Sequence, residues 1–134
     1  MIWQPPHVNL LTAWVWILAG FGSGTLLGLG FAREDWLGGY ASMRRRLYRL
    51  AHISFFGLGG LNLLFYLTVH PAGNAAAGVL AGASWLFVAG ALTMPVSCLW
   101  LAHHPRAKPH VLFAVPVGSL LAGGFITLWT LVQS

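Results

Sequence analysis

An all-α integral membrane protein, a four-transmembrane-helix antiparallel bundle, is the fold class this sequence predicts, and three observations predict it. First, 57% of the 134 residues are hydrophobic and only 7% are charged, against roughly 25% charged residues in an ordinary soluble domain. So little charge cannot cover a water-soluble surface. Second, the apolar residues gather into four runs, at about 9–31, 47–69, 76–102 and 110–131, each near the roughly 20 residues that cross a bilayer as a helix. Third, the basic residues fall in alternate connections. Arg33, Arg44, Arg45, Arg46 and Arg49 lie in or beside the first, and Arg106 and Lys108 lie in the third.

The whole chain, 1–134, thus reads as a single transmembrane domain without a soluble module. The runs lack the period-two alternation of a barrel strand, so helices are expected. By the positive-inside rule the basic side faces the cytoplasm, with both termini outside, as in a bacterial inner membrane. The segment Met1–His7 has no basic stretch and the apolar run after it is too long for a signal peptide, so no cleavage is expected. The net charge of +5 points to phospholipid headgroups as the acidic partner and not to nucleic acid. Cys98 is the single cysteine, so no internal disulfide can form.

In chain order, the first helix carries Gly20, Gly24 and Gly28 on one face, a spacing that lets another backbone approach in lipid. The connection 32–46 holds Trp36, Leu37, Tyr40 and Met43, suited to the interface, and Gly38-Gly39, which argue against one continuous amphipathic helix. Glu34 and Asp35 are its acids and are expected to pair with nearby arginines. On the second helix, His52, Gly59, Asn62 and Tyr66 fall within about 80° of one another at 100° per residue, a polar stripe expected to face protein or cofactor. A short outer turn, His70 to Ala75, makes helices two and three antiparallel neighbours. Pro95 and Pro116 interrupt helices three and four, and Thr93 or Ser97 is expected to take up the carbonyl that Pro95 frees. Trp3 and Trp129 suit the outer interface, and Trp36, Tyr48 and Trp100 the inner one.

The candidate chemistry lies with the histidines. Of the six in the chain, His52, His103, His104 and His110 map to the cytoplasmic ends of helices two to four. Two neutral imidazoles on facing helices are the ligand set of a b-type haem. His52 is the first candidate axial ligand and His110 the second, with His103 and His104 as substitutes. Asn62 and Tyr66 extend the cofactor-binding stripe, and Arg49, Arg45 or Arg106 lies within reach of the propionates. Met94 and Cys98, one turn apart, are thiophilic ligand types of the kind that select Cu(I), although such side chains usually fill cores. Arg44, Arg45, Arg46, Arg106 and Lys108 are the candidate lipid-headgroup ligands. A Ser/His/acid set, a carboxylate pair and a phosphate loop are all missing from the sequence, so the chain does not read as an enzyme.

The histidine-bearing helix beside an arginine cluster, the small size and the lack of soluble domains resemble the small membrane subunits of respiratory or photosynthetic assemblies. That resemblance is one of size and chemistry. It implies a non-catalytic subunit in electron transport, with other membrane subunits and lipids as partners and a haem or quinone near the cytoplasmic side. The alternative is an autonomous oligomeric transporter or channel built on the two proline-interrupted helices.

Overall fold

Apolar helices of membrane-crossing length and no strands make up the described part of the chain. The computed structural model describes residues 4–70 and 77–133. Its helices are α1 (His7–Leu29), α2 (Met43–Val69), α3 (Ala77–His103) and α4 (Pro109–Gln133). All four are long and apolar enough to cross a bilayer. Trp3 and, of the turn expected at His70 to Ala75, every residue after His70 lie outside the described residues.

The expected start of α2 shifts back four residues, from 47 to 43, and the cause is local. Ser42 caps the helix: its hydroxyl accepts from the Arg45 amide at 3.2 Å and donates to the Leu37 carbonyl at 2.7 Å. The arginine cluster therefore sits inside the first turns of α2. The connection before it bends through a 3-10 turn at Trp36–Gly38. Leu37, Gly38 and Gly39 all take positive φ there, 55°, 84° and 91°, which is why a glycine pair stands in this loop and why no helix runs through it.

Each helix packs against its neighbour in sequence, and α1 also touches α3. The central helix is α3, flanked by α2 on one side and α4 on the other. Its core, around Phe65, Leu80, Ala83 and Phe87, joins α2 to α3 and extends to Leu120 and Ile126 of α4. Close approach depends on small residues at the contacts. A Cβ on Gly59 would lie 3.2 Å from the Ala13 carbonyl oxygen, and one on Gly123 would lie 3.4 Å from that of Ala83.

Both proline interruptions are closed by a neighbouring helix. Proline has no N–H, so residue 95 leaves the Ala91 carbonyl free and residue 116 leaves that of Leu112 free. The Trp16 indole on α1 donates to Ala91 O at 3.0 Å. The Ser97 hydroxyl on α3 donates to Leu112 O at 3.0 Å. The sequence expectation for Pro95 is therefore corrected, because Thr93 bonds to Ala89 O and Ser97 serves the other proline.

Candidate functional site

The polar stripe of α2 faces α1. At the end away from the arginines His7, Tyr66 and His70 form a cluster of rings, with centroids 5.9 Å apart for His7–Tyr66 and 5.8 Å for His7–His70. Next inward, Asn62 is fully buried; its carbonyl oxygen accepts from the Asn9 amide at 2.8 Å and its own amide donates to Leu58 O at 2.9 Å. Asn9 also donates to Ser84 O at 3.2 Å, and the Ser84 hydroxyl donates to the Asn9 side-chain oxygen. One satisfied network thus ties α1, α2 and α3 together in the apolar interior, where unmade hydrogen bonds are most costly.

These contacts correct one expected cofactor position, Asn62, and place another, Tyr66. Asn62 is buried in a bonded network within the chain and is not open to a ligand. Tyr66 belongs to the ring cluster with His7 and His70, far along α2 from the basic end. Asn9 and Ser84 were not singled out from the sequence. Their signal was the placement of an amide and a hydroxyl within long apolar runs.

At the basic end, His52 is half-buried against α1, and its Nδ1 lies 2.9 Å from the Ser23 hydroxyl. Its ring covers Gly24 and meets Phe56 edge to face at 5.5 Å. The Ser23 hydroxyl also lies 3.0 Å from Gly20 O. A hydroxyl has one proton, so both contacts are hydrogen bonds only if Ser23 donates to Gly20 O and accepts from Nδ1–H. That assignment puts a proton on Nδ1. Nε2 has no partner in the chain and is not sealed inside it.

The other histidines of the basic end stand elsewhere. The Tyr48 hydroxyl is 2.8 Å from His103 Nε2, and His104 stacks on Trp100 with centroids 4.3 Å apart. His110 is exposed in the first turn of α4, a helix that packs along α3, while His52 faces α1. His52 and His110 thus stand beside different neighbours, His52 beside α1 and the helix of His110 beside α3. Among the described residues, no group of three or more His, Cys, Asp or Glu is placed to hold a metal ion, and Cys98 is buried in the core.

The arginine cluster divides into one buried member and several exposed ones. Arg45 is 2% exposed. Its guanidinium donates to Phe31 O at 3.2 Å and Arg33 O at 3.4 Å and lies 3.9 Å from the Tyr40 ring centroid and 5.6 Å from that of Trp36. This corrects its assignment to lipid headgroups: Arg45 is a structural cation that closes the end of α1. Arg44, Arg46, Arg49, Arg106 and Lys108 are exposed around the same end, and Arg44 also donates to Ala102 O at 3.2 Å. Among the described residues no ion pair joins Glu34 or Asp35 to an arginine. With both acids exposed, solvent screening removes most of the gain from such a pair.

Comparison with protein-family models, with curated proteins and with solved structures finds no match to this chain.

Proposed function

We propose that this chain is a small, non-catalytic membrane subunit of a larger energy-transducing or redox assembly, seated in a bacterial inner membrane with its basic end toward the cytoplasm. In this reading the edge around His52 helps to hold a b-type haem or a quinone, and Arg44, Arg46, Arg49, Arg106 and Lys108 engage anionic headgroups at about 1 kcal/mol each.

The observation that carries the reading is the contrast between a closed interior and open outer faces. Among the described residues every buried side-chain polar atom has a partner, and both proline-freed carbonyls are bonded across helices. Interrupted helices in transporters commonly keep such groups for substrate or ions; here they hold helices together. Outside, Gly22, Gly28, Gly57, Gly60, Gly118 and Gly124 have nothing within 4 Å of where a Cβ would lie. Glycine is poorly suited to face lipid chains and well suited to let a partner helix approach.

Purification in mild detergent from the native membrane, at natural expression level, tests the proposal. The chain is expected to come out in stoichiometric company with other membrane proteins. Recovery as a homo-oligomer alone would favour the autonomous transporter.

A further inference from the structure

At the basic end two side chains of α2, one turn apart, reach the last turn of α3. Arg44 Nε donates to Ala102 O at 3.2 Å, and the Tyr48 hydroxyl lies 2.8 Å from His103 Nε2. Residues four apart on a helix are neighbours, with Cβ atoms roughly 5–6 Å apart, so the two contacts stand side by side. They also bring the two basic segments of the chain together, since Arg106 and Lys108 follow closely after His103.

Both contacts leave donors over. Arg44 caps the end of α3 with one of its N–H groups, and among the described residues its two terminal nitrogens bond to nothing. In the Tyr48–His103 bond the donor is either the hydroxyl or Nε2–H. In the first case Nδ1–H remains, and in the second the hydroxyl proton remains. Under both assignments one proton of the pair has no acceptor among the described residues. No ion pair joins Arg44 to Glu34 or Asp35 there either. The positive-inside rule accounts for charge at this end. It does not account for a guanidinium held against a second helix beside a polar pair.

The surface next to this cluster identifies the ligand. His103 continues a line of α3 residues, Leu92, Val96 and Leu99, at helical spacings of four, three and four, and all of them are exposed. An apolar strip thus runs from the polar cluster along the membrane span. A free phosphate uses the cluster alone, whereas a phospholipid uses both, its phosphate at the donors and an acyl chain along the strip. A zwitterionic headgroup brings an ammonium toward Arg106 and Lys108, so a headgroup of net negative charge fits better.

We propose that the Arg44 guanidinium and the Tyr48–His103 pair together bind the phosphate of one anionic phospholipid, with an acyl chain along Leu99, Val96 and Leu92. The proposal rests on the headgroup reading of the basic end and narrows it to one site on the α2–α3 seam. Arg46 and Arg49 then act through their charge only.

The test uses the full chain in mild detergent, titrated with phosphatidylglycerol and with phosphatidylcholine of the same acyl chains, and native mass spectrometry counts the lipids retained. One phosphatidylglycerol per chain is expected to bind saturably, about tenfold more tightly than phosphatidylcholine. Arg44→Gln should lose about tenfold in affinity, and so should Arg44→Lys, which keeps the charge and loses the fork. Tyr48→Phe, which takes away a single oxygen and leaves the ring packing in place, should lose about threefold. Arg49→Gln removes the same charge from an exposed residue and should change binding by less than about twofold. Equal losses in Arg44→Gln and Arg49→Gln, or unchanged binding in Tyr48→Phe, overturn the site while leaving a diffuse attraction of headgroups standing. Retention of no phosphatidylglycerol overturns the headgroup reading as well. Inorganic phosphate in millimolar excess should leave the lipid bound; displacement of the lipid assigns the donors to a soluble phosphate and overturns the proposal.

Discussion

Asn9 and Asn62 are buried in apolar surroundings, and their mutual bond is worth having mainly because the alternative is an orphaned amide. Within membranes such bonds average about 0.6 kcal/mol and reach about 1.7 kcal/mol in double-mutant cycles. The Asn9→Ala, Asn62→Ala cycle, followed by unfolding in bicelles, should give a coupling near the upper value, because Ser84 binds the same amide. Additive losses would show that the two side chains act separately. Arg45 presents a sharper case. Arg45→Lys keeps the charge but loses the planar fork that meets two carbonyls and stacks on Tyr40. A loss of about 2 kcal/mol is expected, together with faster tryptic cleavage after Arg33 as the loop loosens. Arg46→Lys, on an exposed neighbour, should leave both unchanged.

At the scale of the element, the prolines and the side chains that serve them form testable pairs. Trp16→Phe keeps the ring and leaves Ala91 O without a partner, at a cost of about 1–3 kcal/mol. In a Pro95→Ala background the restored amide bonds Ala91 O within α3, so the same Trp16→Phe change should cost much less. Equal costs in both backgrounds would refute the link between Trp16 and Pro95. The glycines separate in the same way. Gly59→Leu must push into the Ala13 backbone and Trp16, so it should part α1 from α2, whereas Gly57→Leu meets open space and should leave the isolated chain's stability intact. If Gly57→Leu nevertheless reduces recovery with partner proteins, that face belongs to an assembly contact.

For the whole molecule, four antiparallel membrane-length helices with the basic residues in alternate connections require both termini on the face opposite the arginines. Alkaline phosphatase fused after Ser134 should be active outside the cytoplasm, while a fluorescent protein inserted at Gly39 should fluoresce; a reversed pattern refutes the topology. The packing order gives the molecule an asymmetric outline, with α3 central and α1 and α4 each exposing a long apolar face. Those faces meet either lipid or other subunits.

The sequence by itself determined the class, the number of helices, their approximate ends and the side on which charge collects. These follow from hydrocarbon thickness and the cost of burying charge, which act on composition and run length regardless of neighbours. It also determined that the His52, Gly59, Asn62 and Tyr66 stripe turns inward, since helical period alone places them together. Only the tertiary structure decided what each of them meets. Asn62 finds Asn9 and Tyr66 finds His7, while His52 finds Ser23 and keeps one nitrogen free. It also decided that Arg45, alone in its cluster, is buried, and that Trp16 and Ser97 take up the carbonyls which the prolines release. The physical reason is the same in each case. A hydrogen bond across two helices depends on their register and rotation, and these are set by packing between segments far apart in the chain, of which no local pattern carries a record.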